Sequence, residues 1–215
     1  MITYLLIGFL FLSSFCVISY FLTLNLLNKR TANKNIDIRN TFTFEVAPKL
    51  KSDGQYINTL LLLALLPVLV GFILFTVKYF DILRVVTSIL MLLLLFCIGA
   101  LPFVSISKLK EHLYLNLGSI VLFASSSAFL LYISYYLCKL YDYKNVSLII
   151  AMVISGIIFL TSLVFVFNPR LFDLSNKDEE GNRKPVIHLA LSEWVILFTV
   201  PLYLIPLILM STVII

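Results

Sequence analysis

Six long apolar runs dominate this chain, and nearly all of its charge is pushed into the gaps between them. The runs are Ile2–Leu27, Ile57–Val77, Val85–Ser105, Leu113–Cys138, Val146–Phe167 and Leu189–Ile215. A helix rises about 1.5 Å per residue, so crossing a hydrocarbon core of about 30 Å takes about 20 apolar residues. Backbone in lipid must satisfy its own hydrogen bonds, and these runs do not alternate polar with apolar as barrel strands do. Continuous helix is the remaining solution. The expected fold class is therefore an all-α integral membrane protein, a single bundle of six transmembrane helices over residues 1–215.

Composition excludes the obvious alternatives. Hydrophobic residues make up 61% of the 215 positions and charged ones 13%, about half the charge of an ordinary soluble domain. So little polar surface cannot cover a water-soluble fold. The net charge of +5 does not indicate nucleic acid. The sixteen basic residues are spread over five connections beside apolar runs, with no basic stripe interleaved with aromatics. Their expected partner is the lipid bilayer and its anionic headgroups. Cys16, Cys97 and Cys138 lie in or at the end of apolar runs without CxxC spacing, as small buried hydrophobes do. The first run lacks a basic leading region and exceeds the apolar length of a removable signal, so it reads as a retained span.

The basic residues also predict a direction. The first, third and fifth connections hold twelve Lys and Arg, among them Lys29, Arg30, Lys108, Lys110, Arg170 and Lys184. The second and fourth hold only Lys78, Arg84, Lys139 and Lys144. The positive-inside rule then puts the odd connections, including the long loops 28–56 and 168–188, in the cytoplasm of a cell-membrane protein. Both termini would face outward. Tyr79, Tyr135, Tyr136, Tyr141 and Tyr143 would gather at the outer interface, with Tyr56, Tyr114 and Trp194 near the inner one.

The two long loops are where a protein partner would bind. In the first, Phe42, Phe44 and Val46 alternate with polar residues, the pattern of an extended segment tucking apolar side chains into the headgroup zone. In the second, Lys177 to Lys184 is a mixed-charge run that reads as a solvated tip.

The short second, third and fourth connections make the helices they join antiparallel neighbours. Ala124 and Ala128 in the fourth run, and Ala151 and Ser155 in the fifth, are small residues four apart; Ser125, Ser126, Ser127 and Gly156 lie beside them. Small residues let helix backbones approach in lipid, so these positions are expected to pack runs four and five together. Pro67, Pro201 and Pro206 fall inside runs and predict kinks. The two halves of the chain show no matching three-plus-three repeat, which weakens a transporter reading.

Ionisable groups inside a bilayer are costly and tend to be functional. Glu193 is the only acidic residue within an apolar run, about a turn into the sixth. Glu111 and His112 open the fourth run, while His188 and Glu193 open the sixth. By the topology above all four lie on one side at similar depth. Were the two helices adjacent, they would be candidates for a shared metal or a haem. Against that, His and Glu at a helix start commonly cap it or lie among headgroups, and no HxxxH or HExxH spacing is present. Nucleotide-binding and serine-hydrolase motifs are absent as well. The reading is a non-enzymatic accessory or regulatory membrane bundle without a cofactor. The alternatives are a transporter or channel component for a neutral or hydrophobic solute, and a metal- or haem-dependent intramembrane enzyme.

Overall fold

Apolar side chains on all sides of a helix suit a lipid environment, and helix is what the apolar runs form. The structure is a computed structural model that describes residues 2–32, 34–43, 54–78, 82–101, 109–172 and 186–213. It contains α1 (Ile2–Ala32), α2 (Gly54–Lys78), α3 (Ile82–Ala100), α4 (Leu109–Leu140), α5 (Val146–Val166), α6 (His188–Thr199) and α7 (Leu204–Ser211). Short 3-10 turns at Pro169–Phe172 and Val200–Tyr203 complete the described elements.

Helix ends follow local chemistry. Lys29 and Arg30 occupy the last described turn of α1, where cations meet free carbonyls. Asn145 caps α5, its side chain accepting from the backbone N–H of Ser147 and Leu148. Helix α3 runs to Ala100, and Leu101, the residue before Pro102, has 3-10 backbone. A proline disfavours α conformation in the residue before it, which fits that change at Leu101.

The sixth run is not one helix. Pro201 has no N–H to give to Leu197 and its ring crowds that carbonyl, so the chain tightens into the Val200–Tyr203 turn before α7 restarts. Pro206 falls in the first turn of α7, where an N–H would have no helical partner anyway. Pro67 lies within α2 without ending it.

Helices α1 to α5 follow one another around the bundle, each packed on the next. The C-terminal segment closes the circle: α6 touches α1 and α4, and α7 touches α1, α2, α4 and α5. It is also the most enclosed part. Of the residues in its apolar stretch 61% are buried, against 28% in α1 and in α5. Trp194 and Tyr203 on this segment, with Phe72 of α2 and Phe123 of α4, are among the largest fully buried side chains.

Two devices bring the helices close. On α4 and α5, Ser127 meets Ser162 at 3.2 Å and Ser134 meets Ser155 at 3.1 Å. Seven residues forward on one helix match seven backward on the other, which is antiparallel packing two turns at a time. A hydroxyl has one proton, so in each pair one serine donates across and the other donates back to its own helix. On α2, a Cβ added at Gly71 would stand 2.6 Å from Leu204 Cδ2 of α7 and 3.2 Å from Leu6 Cδ2 of α1. A side chain here would have to push the ends of Leu204 and Leu6 aside, so glycine lets these three helices cross closely.

Five of the helical segments are long and apolar enough to cross a membrane: Ile2–Arg30, Thr59–Lys78, Tyr114–Leu140, Val146–Val166 and His188–Ser211. The apolar part of α3, Arg84–Ala100, is shorter.

Candidate functional site

The densest set of long-range polar contacts lies where α1 leaves the bundle and α6 enters it. After α1 the chain folds back as a strap, residues 34–43. Asn25 Oδ1 accepts from the Ile36 N–H at 2.8 Å, and the Asn28 amide donates to the Lys34 carbonyl at 2.9 Å. These bonds turn the strap against the end of its own helix. Ile36 and Phe42 are then buried in the core.

The far end of the strap is held by α6. The Ile187 N–H donates to the Arg39 carbonyl at 2.7 Å, and Trp194 Nε1 donates to the Thr41 carbonyl at 2.8 Å. Oε2 of Glu193 accepts from both the backbone N–H and the hydroxyl of Thr43, at 3.1 and 3.3 Å. Glu193 is only 3% exposed. A carboxylate so enclosed needs strong donors, and the strap supplies two. The Tyr20 ring of α1 is fully buried and within electrostatic reach of Glu193.

Apolar and polar groups then seal the site. Phe21 of α1 meets Trp194 edge-on with ring centroids 5.6 Å apart, and Phe198 stacks on the indole at 6.2 Å. Asn116 of α4, fully buried, donates to the Leu189 carbonyl at 3.1 Å and accepts from the Ser192 hydroxyl at 3.3 Å. Further along, the Tyr203 hydroxyl donates to the Phe123 carbonyl at 3.1 Å and lies 3.1 Å from Ser126 Oγ. The 3-10 turn is thereby tied to α4 rather than left open.

Several expectations look different in this light. Trp194 is a core ring, not a headgroup anchor: its indole N–H is used by the strap and its faces by phenylalanines. Thr43 has helical backbone, so the alternating segment does not begin as an extended strand; Phe44 and Val46 lie outside the described residues. So does the mixed-charge run from Lys177 to Lys184.

Of the four groups considered for a metal, the Glu111 and His112 side chains are likewise outside the described residues. Their helix does reach α6 one turn later, through Asn116. His188 Nδ1 takes the Asn168 amide nitrogen at 3.1 Å, and Glu193 faces Thr43. Among the described residues there is no group of three or more His, Cys, Asp or Glu placed to hold a metal. Of the small residues, Ala151 and Ser155 are fully buried, while Ala124, Ala128 and Gly156 are half-buried. The nearest outside atom to a Cβ at Gly156 would be Leu131 Cδ1 at 3.9 Å, an ordinary contact.

Sequence reasoning missed Thr43, Asn116, Tyr20 and Gly71. Asn116 carried a usable signal, since a carboxamide inside an apolar run must find partners on another helix. Thr43 carried none, because its partner is 150 residues away.

Among the described residues the bundle is all-helical, and five helices long and apolar enough to cross a membrane suggest a membrane protein. Comparison with protein-family models, with curated proteins and with solved structures returned no match to this chain.

Proposed function

We propose that the chain is a six-span, non-enzymatic membrane bundle that serves as an accessory or regulatory subunit, acting through helix packing and its two long loops. The carrying observation is the occupied axis: the most buried segment, α6 to α7, fills the middle with Trp194 packed against Phe21 and Phe198 and Tyr203 against Phe72 and Phe123. Serine hydroxyls that could have lined a path are instead spent on neighbouring helices.

Counting α3 as a sixth span rests on its neighbours. It has 19 residues, about 28 Å of helix, and packs between α2 and α4. Thr76 of α2 lies 2.6 Å from Ser88 of α3, and Ser88 also reaches the Phe72 carbonyl. That pairing has the antiparallel register of a hairpin, so α3 returns along the path α2 took. The strap and the Asn168–His188 pair then share the side richer in Lys and Arg, which supports a cytoplasmic face there and outward termini. Single cysteines at Asp37 and Asn168 should react with an impermeant thiol reagent only after cells are opened, and one at Asp142 in intact cells. The reverse pattern would invert the topology.

A second reading, a component that moves a neutral or hydrophobic solute, is favoured by the break at Val200–Tyr203, since broken helices form sites in transporters. Liposomes carrying the purified protein separate the two. The accessory reading expects no solute or ion flux above protein-free vesicles, together with discrete photo-crosslinks from probes at Asp37 or Arg39 in cells. Flux abolished by filling the break at Tyr203 would favour the transporter.

A further inference from the structure

The opposite end of the bundle carries a second feature that the strap does not explain. Tyr132, Tyr135, Tyr136, Lys139 and Leu140 surround a recess of about 470 Å³ on the outside of α4. The three tyrosines are 45–50% exposed. Tyr132 stands eight residues before Leu140, so the recess spans about 12 Å of helix from within the bilayer to its surface.

The turn beyond α4 is bent onto this face. Tyr143 N–H donates to the Cys138 carbonyl at 2.8 Å and Asp142 N–H to the Lys139 carbonyl at 3.1 Å, the two bonds of a Schellman turn. Glycine usually occupies its left-handed position, yet here Asp142 and Tyr143 both have positive φ, 49° and 55°. Consecutive left-handed residues with side chains store strain, and such strain persists where surroundings hold it. The Tyr143 hydroxyl pKa is raised above its ordinary value, chiefly by its neighbour Tyr135 at the recess.

Charge is set apart in the same way. Lys144 pairs with Asp142 at 3.6 Å. Among the described residues no carboxylate pairs with Lys139, and it sits at the carbonyl end of α4, which favours a cation. The recess therefore combines an ammonium near the surface end with phenol hydroxyls and apolar ring and aliphatic surface.

We propose that this recess binds one anionic phospholipid, with Lys139 and the hydroxyls of Tyr135 and Tyr136 on the phosphate and an acyl chain along Tyr132. A zwitterionic lipid carries its own ammonium beside the phosphate and gains less from Lys139. An aromatic belt alone would give exposed rings without a recess or a cation beside them. The proposal rests on this rim lying at a membrane surface, and alkaline extraction of the protein from membranes tests that separately.

The test is native mass spectrometry of the purified full-length protein, titrated in detergent with phosphatidylglycerol or phosphatidylcholine. Wild type should hold one phosphatidylglycerol about tenfold more tightly than phosphatidylcholine, the size expected of one charge-assisted contact. Lys139→Gln should remove that preference, while Lys144→Gln keeps it and both variants keep the wild-type thermal transition. Tyr135→Phe with Tyr136→Phe should weaken the lipid severalfold. Soluble glycerol phosphate at equal concentration should not compete. Equal retention of both lipids by wild type, an unchanged preference in Lys139→Gln, or full competition by glycerol phosphate would each overturn the proposal. Loss of membrane integration on alkaline extraction would instead overturn the reading beneath it.

Discussion

Thr43 gives both its backbone N–H and its hydroxyl to one oxygen of Glu193, although 150 residues separate them. The bond joins the strap after the first helix to the helix that fills the bundle axis. It also accounts for a carboxylate at 3% exposure in an otherwise apolar segment.

Removing that acceptor should loosen the strap. Glu193→Ala leaves two buried donors on Thr43 without their partner and should cost about 2–3 kcal/mol. Glu193→Gln keeps one carbonyl oxygen to accept from Thr43 and should cost less, about 1 kcal/mol. Chemical denaturation of the purified protein measures both. Equal and negligible losses would mean the clamp contributes nothing to folding.

Trp194 reports the same clamp by light. It is the only tryptophan in the chain, fully buried, and its N–H is bonded to the strap. Its emission should be blue-shifted and shielded from iodide in wild type. Glu193→Ala should shift it to the red and admit the quencher, with Glu193→Gln between the two. Iodide access in wild type equal to that of free tryptophan would contradict the buried ring.

The serine pairs predict a contrast between losing a bond and losing space. Ser134→Ala and Ser155→Ala should each cost about 0.6 kcal/mol, with a double-mutant coupling of similar size. Ser155→Leu must force α4 and α5 apart and should cost about 1–3 kcal/mol or prevent assembly. If leucine at 155 were as mild as alanine, the two helices could not be this close.

Gly71 makes a prediction that can be rescued. Alanine there would press Leu204 Cδ2, the far end of a side chain that can rotate, so the loss should be about 1 kcal/mol. Leucine at 71 would meet both Leu204 and Leu6 and should cost more. In a Leu204→Ala background the Gly71→Ala penalty should largely vanish. A penalty that persists there would trace to the helix itself, not to the crossing.

Much of the architecture was legible in one dimension. Apolar length alone implied helices, because desolvated backbone in lipid has no alternative to helix. Short connections implied that α2 to α5 would be sequential neighbours. Pro201 announced a break, although its form, a 3-10 turn tied to α4 through Tyr203, was not announced.

What periodicity could not decide was which face of each helix meets which neighbour. In lipid both faces are apolar, so exposed Phe11 and buried Tyr20 in α1 give no contrast to read. Burial of Trp194, capture of Glu193 by Thr43 and use of Asn116 by α6 all depend on which helices are adjacent. The sequence determined long apolar helices and where charge was excluded, because these follow from the cost of polar groups in hydrocarbon. Tertiary structure alone decided that the last segment is the core and that the first loop is its clamp. Such long-range contacts arise only when distant helix faces pack, and no local pattern encodes them.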